Sequence, residues 1–199
     1  MQLHISLPKI RFNEMRYRFA FVAFILFFSG KSFGQDSNAD TSHVSSVDGI
    51  VHALYDAISG PAGHERDWNL FRSLFAENAR MFISVPDKDN GVVLRSITPE
   101  EYADRNKTRL SDIGFNEDEL YRITNVYGAG TQVFSTYESH FTNKNGEEEI
   151  TQGINSIQLF FDGERYYVVS VFWDANAKDI AVPERYLPKD KKTEYQINF

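Results

Sequence analysis

The sequence predicts a single α+β domain in which three helices precede a long antiparallel sheet. In the first half of the chain, apolar residues recur at helical spacing, whereas beyond residue 119 they follow four long extended segments. Dipeptides typical of tight turns separate two pairs of these segments. The chain has 199 residues and no cysteine, so we expect one core that is held together without disulfides.

The N-terminus is predicted to be a cleavable signal peptide. Basic residues precede an uninterrupted apolar run at 19–28, and Ser32 and Gly34 are small residues suited to a cut before Gln35. This run is about half as long as the roughly 20 residues that a membrane-spanning helix needs. We therefore expect an exported protein, periplasmic or secreted, with no stable membrane anchor after cleavage; a retained anchor is the alternative.

The chain then divides into four predicted segments. They are a signal peptide at 1–34, a flexible linker at 35–45, a folded domain at 46–176 and a C-terminal tail at 177–199. Translation starts at Met1 or at Met15, which begins a more typical signal.

Removal of the signal peptide leaves an acidic domain. It takes away five of the 21 Lys and Arg residues and one of the 28 Asp and Glu residues, so the formal charge becomes −11. Nucleic acid is therefore excluded as a partner. The remaining histidines are scattered without the spacing of zinc ligands, and the chain has no thiolates, so we predict no metal and no other cofactor.

Two amphipathic helices are predicted at the start of the domain. The first begins behind Ser45 or Ser46 and ends before Gly60–Pro61, and the second is capped by Asp67. Each has one apolar face, which predicts packing against a core. The apolar residues are Val47, Ile50, Val51, Leu54 and Ile58 in the first helix, and Trp68, Leu70, Phe71, Leu74 and Phe75 in the second.

Two short extended pieces and a third helix follow. Residues 80–85 and 92–97 are the extended pieces, and a turn joins them. The third helix has the strongest local signal, because Thr98 at the N-cap and Glu101 at the N3 position match a capping box. It is predicted to run to about residue 110.

The C-terminal half is predicted to be an antiparallel meander of four strands. The strands are 120–127, 131–142, 148–161 and 165–174. A turn at 128–130 joins the first two, and Asn145–Gly146 and Asp162–Gly163 are dipeptides that two-residue hairpin loops prefer.

This order of elements, together with two stretches of sequence, resembles the nuclear transport factor 2-like superfamily, including its SnoaL-like and ketosteroid-isomerase-like members. Residues 66–76 are similar to its second helix, and residues 162–169 are similar to its last hairpin. The resemblance implies a cone-shaped barrel whose curved sheet encloses a pocket, and often a dimer through the sheet. It implies no reaction, because this fold hosts isomerases, dehydratases, hydrolases and binding domains.

A polar row across the four strands is the predicted ligand site. If both hairpin dipeptides form two-residue loops, the pairing brings four polar side chains onto one face between apolar neighbours. These are Arg122, Thr136, Asn155 and Ser170, to which we add Tyr55 of the first helix and Trp68 of the second as candidate ligand contacts. The alternative is a row that faces solvent or forms a hydrogen-bond ladder.

The same register suggests a catalytic alternative. His140 would lie near Asp174 and Glu138, and a carboxylate partner can orient an imidazole for acid/base work. Three functions therefore stay open: binding of a small molecule without catalysis, an enzyme of the isomerase, dehydratase or hydrolase type, and a ligand-free dimerisation or interaction module. In the enzyme reading His140 acts with a carboxylate; otherwise these residues form a surface pair.

The opposite face of the sheet is predicted to be too apolar to contact water. Its residues are Val133, Tyr137, Phe141, Ile150, Ile154, Phe160, Tyr167, Val169, Val171 and Trp173. A sheet that is apolar on both sides needs cover on both sides. We therefore predict a homodimer through this face, with cover by the tail at 175–199 as the alternative.

Overall fold

The computed structural model describes residues 42–143, 145–175 and 177–189. The predicted signal peptide, the linker up to residue 41 and the end of the tail beyond residue 189 lie outside the described residues. Within the described part of the chain, no helix is both long enough and apolar enough to cross a membrane.

In the described part of the chain, three α-helices begin where the sequence predicts their caps. They are α1 (Val47–Ile58), α2 (Trp68–Ser73) and α3 (Pro99–Ile113). Ser46 and Asp67 accept hydrogen bonds from the first backbone amides of α1 and α2. Thr98 and Glu101 form the complete capping box at α3, with the Glu101 carboxylate accepting from the Thr98 amide at 2.8 Å. These contacts supply acceptors for amides that have no partner within the helix.

Among the residues that the structure describes, six strands form one curved, open sheet. They are β1 (Phe75–Asp87), β2 (Gly91–Ile97), β3 (Asn116–Tyr127), β4 (Gly130–Thr142), β5 (Glu148–Phe161) and β6 (Tyr166–Asp174). Their order is β2-β1-β6-β5-β4-β3. All neighbours are antiparallel except β1 and β6, which run parallel. The predicted α+β class is confirmed, and the predicted antiparallel sheet is corrected at this one pair.

The register between β4 and β5 differs from the predicted one by one residue. The connection is a five-residue loop, 143–147, rather than a two-residue loop at Asn145–Gly146. As a result Ser135, and not Thr136, lies opposite Asn155. Because neighbouring side chains on a strand point to opposite faces, this single step moves every predicted β4 residue to the other side of the sheet relative to β5.

The predicted apolar face is consequently divided between the two sides of the sheet. A bulge at Val169 also shifts β6, so that Val171 lies opposite Ile157. Five of the predicted residues lie on the concave side, toward the helices: Val133, Tyr137, Phe141, Val171 and Trp173. Val169 lies at the bulge in β6. The other four lie on the outer side: Ile150, Ile154, Phe160 and Tyr167.

The chain after β6 covers part of the outer side. The Tyr186 ring packs on Phe134 with 4.9 Å between centroids, and the Thr136 hydroxyl donates to the Tyr186 carbonyl at 2.7 Å. Leu187 is 5% exposed, and at the other end Val44 is 1% exposed. Packing therefore continues past both predicted domain boundaries, at 46 and 176.

The buried guanidinium group of Arg66 ties α1 to the start of β3. Arg66 is 4% exposed and donates to five backbone carbonyls. These belong to Ile58 (3.3 Å), Gly60 (2.5 Å), Pro61 (3.4 Å), His64 (2.6 Å) and Phe115 (3.1 Å). Burial lowers the pKa of Arg66. The contacts fix the loop after α1 and place Phe115 beside it.

Replacement of Arg66 tests this connection. We expect Arg66→Met to lower the free energy of unfolding by about 3 kcal/mol, because buried carbonyls would lose their donors while the side-chain volume is kept. Urea unfolding measures the change, and Arg95→Met at an exposed position of β2 is the matched control. Equal, small effects of the two substitutions would show that Arg66 is not a structural anchor.

Candidate functional site

A cavity of about 570 Å³ lies between the helices and the concave side of the sheet. Its apolar and aromatic wall includes Leu54, Ile58, Phe71, Met81, Ile83, Tyr102, Leu110, Phe115, Tyr137, Phe141, Val171 and Trp173. Its polar residues are Tyr55, Arg105, Asn106, Arg109, Glu117, Ser139, Glu149, Thr151, Asn155 and Asp174. The cavity is thus largely apolar, with a limited set of polar side chains.

Tyr102 on α3 organises the aromatic part of the wall. Its ring stacks on Phe71 with 5.4 Å between centroids and meets Trp173 edge-on at 6.1 Å. Trp68 meets the other side of the same cluster, 6.5 Å from the Tyr102 ring. Trp68, a predicted ligand contact, therefore packs against Tyr102 and does not line the cavity.

Glu117 on β3 places a partly buried carboxyl group in this apolar surrounding. It lies opposite Ser139 on the concave side, and its Oε1 accepts from Asn155 Nδ2 at 3.1 Å. Burial raises the pKa of Glu117 to about 7; the hydrogen bond from Asn155 opposes this rise and the charge of Asp118 adds to it. The group can therefore accept or donate a proton near neutral pH.

A buried hydrogen-bond network connects Tyr55 to the sheet. The Tyr55 hydroxyl lies 2.7 Å from the Ser135 hydroxyl and accepts from Asn155 Nδ2 at 3.2 Å. Burial, followed by the charge of Glu117, raises the pKa of Tyr55, so the phenol stays protonated. Tyr55 and Asn155, both predicted ligand contacts, thus lie together at the cavity, with Ser135 in the position that the sequence assigned to Thr136.

Arg122 lies in the same row but faces a different cleft. Its guanidinium donates to Glu119 at 2.9 Å and 2.5 Å and to Asp48 at 2.9 Å. This cleft, of about 440 Å³, shares Tyr55 and Glu117 with the main cavity. Arg122 therefore forms ion pairs with Glu119 and Asp48.

The predicted catalytic set of His140, Glu138 and Asp174 is not brought together. Glu138 accepts from His140 Nε2 at 3.1 Å and from Gln152 Nε2 at 2.7 Å, all three on the outer side of the sheet. The hydrogen bond to Glu138 raises the pKa of His140. Asp174 instead lines the cavity and accepts from the Ser84 hydroxyl. The pairing of β6 with β5 is the physical reason for this separation: Phe172 lies opposite Ser156, so Asp174 is further along the sheet than His140, whose neighbour on β5 is Ile150.

The two other predicted ligand contacts also lie away from the cavity. Thr136 is fully buried beneath Tyr186 on the outer side. Ser170 lies opposite Gln158 on that side as well, because of the bulge at Val169. Of the four residues in the predicted polar row, only Asn155 lines the main cavity.

Glu117 is the functional candidate that sequence reasoning missed. The third strand was predicted to begin at Leu120, because residues 116–119 are all polar and show no apolar alternation. The spacing of Glu117 and Glu119 could have indicated the site, because a strand that begins at residue 116 places both carboxylates on one face. Across the described ranges, no group of three or more His, Asp or Glu side chains is placed to hold a metal ion.

Several proteins of known structure are similar to this chain. The beta subunit assigned to an aromatic-ring-hydroxylating dioxygenase from Novosphingobium aromaticivorans has 14% identity and a TM-score of 0.50, over 72% of this chain and 94% of that one. A chain from Exiguobacterium sibiricum, assigned as a calcium/calmodulin-dependent kinase II association domain, has 13% identity and a TM-score of 0.47, over 71% and 96%. No protein-family model and no curated protein matches the sequence. At these identities the likeness concerns the fold alone.

The raised pKa of Glu117 predicts a specific pH dependence of stability. In the unfolded chain this group ionises near 4.5, whereas in the folded state it ionises at about 7, so the folded state holds the proton between these values. Glu117 therefore destabilises the fold increasingly as the pH rises through that window. We expect Glu117→Gln to raise the free energy of unfolding by about 3 kcal/mol near pH 8 and to change it little below about pH 5.

Urea unfolding at both pH values measures this difference, with the exposed Glu77→Gln as the control. A gain that is the same at both pH values would contradict a raised pKa in the folded state.

Proposed function

Because the chain has the nuclear transport factor 2-like cone fold, we propose that it binds a small organic molecule in the concave cavity, without catalysing a reaction. The observation that carries this proposal is a preformed, largely apolar cavity of about 570 Å³ into which a few polar groups converge. Its volume is in the range of small-molecule sites, roughly 300 to 1,000 Å³, and so is its composition.

The cavity wall has flat apolar surfaces that a ligand can pack against and polar atoms that can orient it. The rings of Tyr102 and Trp173 provide flat apolar surface, while Glu117 and Asn155 provide polar atoms that select the orientation of a bound group. A planar or alicyclic molecule with a polar substituent suits this arrangement.

The enzyme alternative based on His140 is less well supported by this geometry. His140 and its partner Glu138 lie on the outer side of the sheet, so a molecule in the cavity has no access to the imidazole. A general base must come within hydrogen-bond distance of the proton that it abstracts.

Filling the cavity should abolish binding. We expect naphthylethanol, a neutral aromatic probe, to bind the wild-type protein in isothermal titration calorimetry, and Thr151→Trp to lose at least about tenfold in affinity because the indole occupies the cavity. Gln158→Trp, at an exposed position on the outer side of the same strand, should bind the probe like the wild type. Unchanged binding by a folded Thr151→Trp variant would place the probe elsewhere and refute the proposed site.

We further propose that the exported chain is a homodimer through the part of the outer side that the described residues leave exposed. Four apolar side chains there are between 41% and 58% exposed: Ile150, Phe160, Val169 and Phe172. The segment around Tyr186 covers β4 on that side, which leaves the β5–β6 portion as the apolar surface for a second copy.

Native mass spectrometry of protein purified from an exporting host tests export, dimer and ligand together. We expect a dimer of chains that begin at Gln35, with a small additional mass bound. Phe172→Asp should give monomers, whereas Val92→Asp, on the exposed edge strand, should not. A wild-type monomer at micromolar concentration would refute the dimer, and an uncleaved chain would refute the predicted signal peptide.

A further inference from the structure

Two arginines of α3 line the cavity from the same face of the helix. Arg105 and Arg109 are one turn apart, and both are solvent-exposed as well as part of the cavity wall. The cavity therefore opens to solvent along this part of α3. A ligand whose body occupies the aromatic region would present its outer end to these two guanidinium groups.

Four of the five other charged side chains on α3 have partners, whereas Asp112 forms no ion pair among the described residues. Glu100 pairs with Arg72, and Asp104 pairs with Lys107 at 3.2 Å. Glu101 caps the helix and lies 4.0 Å from Arg105, at the limit of an ion pair. Among the described residues, Arg109 makes no ion pair. It is a cation at the rim whose hydrogen-bonding capacity is open to a ligand.

The carboxylates in the cavity wall already have donors. Glu149 accepts from Asn143 at 2.9 Å, Asp174 accepts from Ser84, and Glu117 accepts from Asn155 at 3.1 Å. Burial raises the pKa of Glu117, so part of the population carries no charge at neutral pH to repel an anion.

The field of Arg109 also reaches into the cavity. Burial, and then the charge of Glu117, raise the pKa of the Tyr102 phenol, whereas the charge of Arg109 lowers it. Tyr102 is the ring that stacks on Phe71 and meets Trp173 edge-on. The cationic rim and the aromatic wall thus adjoin each other at Tyr102.

We propose that the ligand of this cavity is an organic acid: a ring system that packs against Tyr102 and Trp173, with a carboxylate that binds Arg105 and Arg109 at the rim. Guanidinium groups bind carboxylates through paired, charge-assisted hydrogen bonds. This assignment rests on the proposed binding function and adds to it the class of ligand.

A matched pair of probes separates the two proposals. Naphthylacetate and naphthylethanol have the same ring system, but the first carries a carboxylate where the second carries a hydroxyl group. By isothermal titration calorimetry, we expect the wild-type protein to bind naphthylacetate about tenfold more tightly, a preference that declines as NaCl is added because both arginines are exposed. The doubly substituted Arg105→Gln/Arg109→Gln protein should bind both probes with the affinity that the wild type has for naphthylethanol.

Arg95→Gln, at an exposed arginine of β2, should leave both affinities unchanged, which controls for the loss of positive charge in general. Equal binding of the two probes by the wild type would overturn the organic-acid assignment and leave the binding function standing. Loss of naphthylethanol binding in the double variant would also overturn it, because the arginines would then act on the wall and not on the carboxylate. Binding of neither probe by the wild type would overturn both proposals.

Discussion

A guanidinium group that is buried among backbone carbonyls organises one end of this molecule. Arg66 takes its acceptors from the last turn of α1, from the loop that follows and from Phe115. The carbonyl end of a helix carries partial negative charge, which compensates in part for the burial of the cation. Because the same side chain contacts α1 and the start of β3, it sets the distance between Tyr55 on the helix and Glu117 on the strand.

That distance is what permits Asn155 to serve both partners. Its amide nitrogen lies 3.2 Å from the Tyr55 hydroxyl and 3.1 Å from the Glu117 carboxylate. In an apolar surrounding, hydrogen bonds of this kind are strong and their loss is costly, so the network is expected to be rigid. The result is a fixed polar region in a largely apolar cavity, and the Glu117 carboxyl group in this region has a pKa of about 7.

Gly153 of β5 leaves room for the Tyr137 side chain in the cavity wall. A Cβ atom at this position would overlap the Tyr137 hydroxyl and lie 2.8 Å from the Ala177 Cβ atom, closer than side-chain atoms pack. Without a side chain at residue 153, Tyr137 can lie across β5 and the chain after β6 can pack against it. The cavity is open to solvent beside Arg105 and Arg109 on α3, so a ligand would enter past these two cations.

Local interactions explain what the sequence determined by itself. The capping residues of all three helices, the extents of β4 to β6 and the α+β class follow from contacts within a few residues and from apolar periodicity, so they could be predicted without the structure. Only the tertiary structure decided the register, because the loop at 143–147 has five residues where Asn145–Gly146 alone suggests two. That step put Ser135 beside Asn155. The tertiary structure also made Glu117 a candidate site residue, because the burial that raises its pKa is produced by residues far away in the chain.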